Sequence, residues 1–323
     1  MRCLRLTETK TYSRCMRLLA LAAIVVLPVG CQKSQQGQAP GESGPKTFAS
    51  PEDASTSLYQ AAKAGDSNTL LAIFGPGATE LIVSGDPVQD KANRDKFVAN
   101  YDEMHRWGTL TNGKVLNIGA ENYPFPFPLE KNASGKWYFD SNSAKEEILA
   151  RRIGDNELAA IDALNAMADA QADYFAQTHD GSKVHQYAQK IASDEGKQNG
   201  LYWKSADDQM ESPLGPLAAS ASAEGYSGST QSSPQPFHGY FYRILTKQGS
   251  PAHGGAKDYL VNGNMTGGFA ILAYPAEYRN SGVMTLIINQ DGQVFQRDLG
   301  EKTADLAKAI NEFNPDDTWT PVE

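Results

Sequence analysis

Tyr101, Asp102 and His105 put a phenol, a carboxylate and an imidazole within five residues, the side chains that move protons in hydrolases and isomerases. Gathered in one pocket they would be acid–base residues. The competing reading packs Tyr101 in a core and leaves Asp102 and His105 on the wet face of a helix. With no second motif to fix a geometry, the sequence favours packing. The five histidines never form a His-x-x-x-His or His-Glu-x-x-His pair, although His179 and His185 lie six apart near Asp180. A catalytic zinc set is therefore not expected, nor any other metal or cofactor. There is no Gly-x-Ser-x-Gly elbow and no phosphate-cradling Walker loop. Gly254-Gly255 and Gly267-Gly268 read as turns and as a bend entering a strand. Ser220 and Ser222 have no base nearby in sequence.

Aromatic clustering is more suggestive. Tyr123, Phe125 and Phe127 alternate with prolines, Trp203 follows Tyr202, and Phe237 to Tyr242 adds four rings around His238 and Gly239. Tyr123, Phe125, Trp203, Tyr240, Tyr242 and the adjacent Arg243 are thus candidates for lining a groove that takes a sugar or peptide. The favoured alternative is an extended edge strand that packs its rings on a seam between domains. Arg243 reads as an outward-facing strand residue, with Asp258 and Glu277 as candidate partners.

Cysteine usage points to a compartment. Cys3, Cys15 and Cys31 all lie in the first tenth of the chain. Arg2, Arg5, Lys10, Arg14 and Arg17 precede an apolar run from Leu18 to Val29 that is short for a membrane span, so residues 1–30 read as an export signal. Its end, Leu27-Pro28-Val29-Gly30-Cys31, resembles a bacterial lipobox, with Pro28 where an aliphatic residue is preferred. Cys31 is then the expected lipidation site, and Gln32 after it resembles the outer-membrane sorting pattern. The expected location is the periplasmic side of the outer membrane, or the periplasm if Cys31 carries no lipid. Removing residues 1–30 changes 29 basic and 38 acidic side chains to 24 and 37, net −13. Such a chain excludes nucleic acid as a partner, and its contact with a membrane must rest on acyl chains.

The elements that must position any site come next. Residues 31–47 are a tether rich in Gln, Ser, Gly and Pro. Ser50 is placed as a helix N-cap with Pro51 at the first helical position, and that helix should stop near Gly65. Further helices over 70–74 and 91–104 and strands at 113–118, 127–130 and 136–139 complete an N-terminal α+β domain over 48–142, its helices packed on a small antiparallel sheet. Residues 143–177 carry apolar positions at helical spacing, with a break expected at Gly154 and a restart at Asp155-Asn156-Glu157. After a Pro/Gly/Ser-rich insertion over 212–236, strands at 239–245, 269–274 and 283–289 and an Asp291-Gly292 hairpin make an antiparallel meander. A C-terminal α+β domain over 143–323 is the expectation.

Several phrases carry resemblances. "SPEDASTSLYQAAKAGDSNTLLAIFGPGA" resembles the first helices of the ketosteroid-isomerase-like cone fold, the setting in which Tyr101, Asp102 and His105 would be catalytic. "AIDALNAMADAQADYF" and "NQDGQVFQRDLG" resemble the long helix and terminal hairpin of a type IV pilin head, which implies fold and not filament assembly. Across nearly the whole mature chain, "FASPEDA", "YPFPFPLEKNASGKWYFD", "EEILARRIGDNELAAI", "GLYW", "SPLGPLAA", "HGYFYRILTKQG", "NGNMTGGFAILAYPAEYRNSGVMTLIINQDGQVFQRDLG" and "FNPDDTW" resemble the exported bacterial proteins grouped as domain of unknown function 2950. Some members have a calcium-loop-like segment where this chain has Thr178 to Lys183; one carboxylate and a lysine there do not make a calcium site, so the resemblance brings no metal. The expected function is a non-catalytic binding or scaffolding lipoprotein of the cell envelope, with an envelope protein or glycan as partner. The alternative is a periplasmic hydrolase or isomerase using a pocket in the N-terminal domain.

Overall fold

The folded chain begins where the sequence places its first cap. Ser50 Oγ accepts from the Asp53 N–H at 3.0 Å, Pro51 fills the first helical position, and Gly65 closes α1 (Pro51–Ala64) in the left-handed conformation that an L side chain rarely adopts. The computed structural model describes residues 44–205, 211–226 and 235–323; the expected export signal, Cys31 and nearly all of the expected tether lie outside them. Asp66 and Asp86 cap α2 (Ser67–Phe74) and, beyond the short α3 (Thr79–Ile82), α4 (Pro87–Glu103).

An antiparallel sheet follows: β1 (His105–Leu110), β2 (Gly113–Ile118), β3 (Tyr123–Pro124), β4 (Leu129–Lys131) and β5 (Trp137–Phe139), in the order β1-β2-β4-β5 with β3 beside β2. Leu58, Ile73, Phe74, Phe97, Leu116, Leu129 and Phe139 form a core between helices and sheet. Phe74 stacks on Phe127 with ring centroids 4.1 Å apart.

Asp140 caps α5 (Ser141–Phe175), 35 residues and about 50 Å long. It has no break at Gly154. The residues that read as a helix restart serve tertiary bonds instead. Asn156 Nδ2 donates to Ser281 O at 2.8 Å, and Glu157 Oε1 accepts the Val283 and Met284 N–H groups, both at 2.9 Å. The apolar stripe of α5 is divided. Ala144 belongs to the first core, with Ile148 and Leu149 packed on it, while Ala160, Leu164, Met167, Ala170 and Tyr174 belong to a second.

The Pro/Gly/Ser-rich insertion carries α6 (Gly215–Glu224), closed by Gly225 in the left-handed region. Then come β6 (Tyr240–Leu245), β7 (Lys247–Gln248), β8 (Lys257–Asp258), β9 (Leu260–Val261), β10 (Asn264–Met265), β11 (Ala270–Pro275), β12 (Met284–Asn289), β13 (Phe295–Asp298), α7 (Thr303–Ala309) and β14 (Thr320–Pro321). The main sheet runs β14-β13-β12-β11-β6, antiparallel throughout. α5 packs on β12 and β11, and α7 packs on β11, so nearly every residue of the two central strands is buried. Ser43–Glu323 form one compact unit of α+β class containing both cores.

Where the cores meet, the bonds are polar. Arg152 donates to Glu80 O (2.6 Å), Leu81 O (2.7 Å) and the Asn280 side chain, whose own Nδ2 donates to Val83 O at 3.0 Å. Asp86 is buried and does double duty: Oδ1 caps α4, while Oδ2 accepts from Tyr226 Oη at 2.7 Å and Gly239 N at 3.1 Å. Among the described residues no helix is long and apolar enough to cross a membrane.

Candidate functional site

Tyr101, Asp102 and His105 do not converge on a reacting centre. α4 ends at Glu103 because Met104 turns to extended geometry, so His105 opens strand β1 instead of continuing the helix. Tyr101 is buried, donates to Ser55 Oγ at 3.3 Å and lies between the rings of Tyr59 (4.7 Å) and His105 (3.8 Å). Asp102 and His105 are exposed, and His105 Nδ1 sits 2.9 Å from Tyr101 O. The stacking is that of a packed helix end.

The aromatic candidates are likewise dispersed. Tyr123 is exposed and accepts from Arg151 Nη1 at 2.9 Å. Phe125 packs on Phe97 and Phe74, so the Pro-aromatic run feeds the first core and not a seam. Trp203 and Tyr240 lie in the second core, where Tyr240 Oη donates to Met284 O at 2.9 Å. Tyr242 Oη points to Phe237 O at 3.4 Å, and burial pushes its ionisation well up. Arg243 bonds neither Asp258 nor Glu277. It donates to Ala307 O and Ile310 O at the end of α7, where orphan carbonyls and the negative end of the helix dipole favour a cation.

His179 and His185 have a related role at the end of α5. His179 Nε2 lies 2.9 Å from Tyr174 O, which also accepts the Gln177 N–H at 3.3 Å, and His185 Nδ1 lies 2.8 Å from Phe175 O, so each ring N–H meets a carbonyl of the last helical turn. Asp180 accepts the Gln198 N–H at 3.0 Å. No group of three or more His, Cys, Asp or Glu side chains poised for a metal occurs among the described residues.

Two concave sites stand out among the described residues. The larger, about 460 Å³, lies between α7, β13 and the C-terminal segment. Leu299, Leu306, Ile310 and Trp319 give it apolar walls, Lys247 and Arg297 bring cations, and Glu312 and Asp316 bring carboxylates. Its frame is tied down. Phe313 N donates to Lys247 O and Gly249 N to Phe313 O, which stitches the segment after α7 to β7. Asp316 accepts the Thr318 N–H and hydroxyl, bonds that hold its carboxyl below the usual range, and its carbonyl accepts the Trp319 N–H. Lys247 faces Glu312 at 3.8 Å, whereas half-buried Arg297 enters no ion pair among the described residues. Sequence reasoning missed this groove. Its one signal was Asn314-Pro315-Asp316-Asp317-Thr318-Trp319, a cluster of turn formers delivering a lone tryptophan. The smaller cavity, about 300 Å³, lies at the end of α5 beside His179.

Fold and site together define an α+β protein with two cores on one shared helix and a groove of ligand size. The chain belongs to the family of proteins of unknown function DUF2950, whose model matches residues 45–322. Neither a curated protein nor a solved structure matches it, and the likeness to a pilin head is not confirmed.

Proposed function

We propose that the protein is an exported envelope lipoprotein, anchored through Cys31, whose folded part is a binding module for an envelope glycan or peptide. The groove beside Trp319 carries this reading. Its volume of about 460 Å³ is within the range of small-ligand sites, and it pairs apolar walls with the Arg297 guanidinium, which feels the Asp316 charge but enters no ion pair among the described residues and so suits a carboxylate-bearing ligand. The tether after Cys31 leaves the module clear of the bilayer, and its charge of net −13 keeps it off anionic headgroups.

The binding test uses the mature protein and carboxylate-bearing cell-wall muropeptides as probes. Arg297→Ala and Leu306→Ser should each weaken binding tenfold or more while leaving the melting temperature within about 2 °C of wild type. Unchanged binding in both variants removes the groove from the proposal. Metabolic labelling with a tagged fatty acid tests the anchor: Cys31→Ser should lose the label and leave the membrane fraction.

A further inference from the structure

Of the four charged side chains that line the Trp319 groove, two are cations and two are carboxylates, so the groove is neutral in a chain whose net charge is −9. Lys247 and Glu312 answer one another at 3.8 Å. Arg297 and Asp316 do not. No Arg297 nitrogen lies within 4.0 Å of an Asp316 oxygen, although the cation is near enough to help keep that carboxyl low. Hydrogen bonds leave the same two groups unfilled. Asp316 Oδ1 accepts both the N–H (2.9 Å) and the hydroxyl of Thr318, while Oδ2 has no partner among the described residues. The Arg297 guanidinium, a fork of N–H donors, likewise donates no side-chain hydrogen bond among them.

Both groups stand on fixed supports. Arg297 belongs to β13, with Thr285 of β12 opposite it. Asp316 sits in a turn closed by its own N–H bonding to Asn314 O and by the Trp319 N–H bonding to Asp316 O, both at 2.9 Å. Neither support has to be ordered when a ligand arrives. A ligand with only a carboxylate would satisfy Arg297 but set a second negative charge beside Asp316 in a chain that is already acidic. A ligand with only an ammonium would meet Arg297 in the same way. A body that carries both charges on one carbon satisfies both groups and brings no net charge. The apolar wall then has a use as well, since Leu306 is 45% exposed and would bury that surface against an apolar side chain.

We infer that the groove recognises a zwitterionic α-amino-acid head, its carboxylate on Arg297, its ammonium on Asp316 Oδ2 and its side chain against Leu306 and Ile310. This rests on the reading of the Trp319 groove as the ligand site and narrows it. Within an envelope peptide, such a head is the free end of a diamino acid joined through its side-chain amino group.

The test titrates the protein calorimetrically with leucine, with N-acetyl-leucine, which lacks the ammonium, and with leucinamide, which lacks the carboxylate. Leucine should bind saturably and each blocked form at least tenfold more weakly, the loss expected for one charged partner. Asp316→Asn keeps an acceptor for Thr318; in this variant leucine should weaken at least tenfold and lose its advantage over N-acetyl-leucine, while its advantage over leucinamide remains. Arg297→Gln should show the converse. The blocked forms need no variant, so a substitution that prevents folding leaves the question decidable. A blocked form that binds as tightly as leucine, or leucine binding indifferent to both substitutions, overturns the inference. Muropeptide binding without leucine binding overturns it too but keeps the groove as a ligand site, whereas binding of neither removes that reading along with it.

Discussion

Gly282 shows how little room single residues have around the buried tyrosines. A Cβ built there would lie 2.2 Å from Tyr240 Oη, the group that donates to Met284 O. Gly282→Ala should therefore cost ~1–3 kcal/mol by overpacking, read from the shift in a urea midpoint; an unchanged midpoint would show that Tyr240 moves aside freely. Asp90 bears on pH. Burial raises its carboxyl above the usual range despite bonds from Ser84 N and the nearby Arg152 cation. A folded pKa above the unfolded value means that its favourable contribution is complete below the unfolded pKa and is lost as pH rises through the folded one. Asp90→Asn should therefore melt higher than wild type at pH 7, and the difference should close as pH falls towards the ordinary carboxylate range. Tyr174 carries the same sign at the alkaline end. Burial, then the Asp180 charge, push it up to about 12, so the stability it contributes is complete below about pH 10 and is lost as pH rises through about 12.

At the scale of elements, α5 corrects an inference from local signals. A glycine followed by Asp-Asn-Glu reads as a helix end and a new cap, yet Asn156 and Glu157 look outward to Ser281, Val283 and Met284. Side chains that can cap a helix can equally dock a strand, and only the partner distinguishes the two. Nothing lies within 4 Å of a Cβ built on Gly154. Gly154→Ala should then stabilise the protein by about 0.5–1 kcal/mol, the usual gain for removing a mid-helix glycine, and a loss measured in denaturant would mean that the helix needs its glycine. Asp86 ties α4 to the residues around Tyr226 and Gly239 through one carboxylate. Asp86→Ala removes a cap and leaves a tyrosine hydroxyl and an amide without their acceptor. Thermal melts should show a loss of about 2 kcal/mol, and Tyr226→Phe should reproduce only part of it.

At the scale of the whole molecule, the two cores share a helix and a polar seam. α5 contributes Ala144 to one and Leu164 to the other, and Arg152 between them reaches Glu80, Leu81 and Asn280. Loosening one core removes the support of the helix in the other. Calorimetry on the protein should give one unfolding transition, and Arg152→Ala should lower or split it; two resolved transitions in the wild type would show that the cores fold independently.

Local chemistry was legible in the residues themselves. Ser50, Pro51 and Gly65 bound α1 because capping needs only neighbours in sequence, and the Asp291-Gly292 turn gives the β12–β13 hairpin for the same reason. The α+β class and family membership followed from such signals in order along the chain. Which side chains come together did not. Apart from exposed Tyr123, the aromatic residues that looked like a groove are spent on two cores, since burying rings repays more than exposing them, and Arg243 went to carbonyls that no spacing rule links to it. The Trp319 groove is built from segments between Lys247 and Trp319, and the His179 cavity from residues on either side of the 180–205 stretch. Sequence fixes each residue's chemistry and its near neighbours; long-range packing alone decides which of them share a cavity.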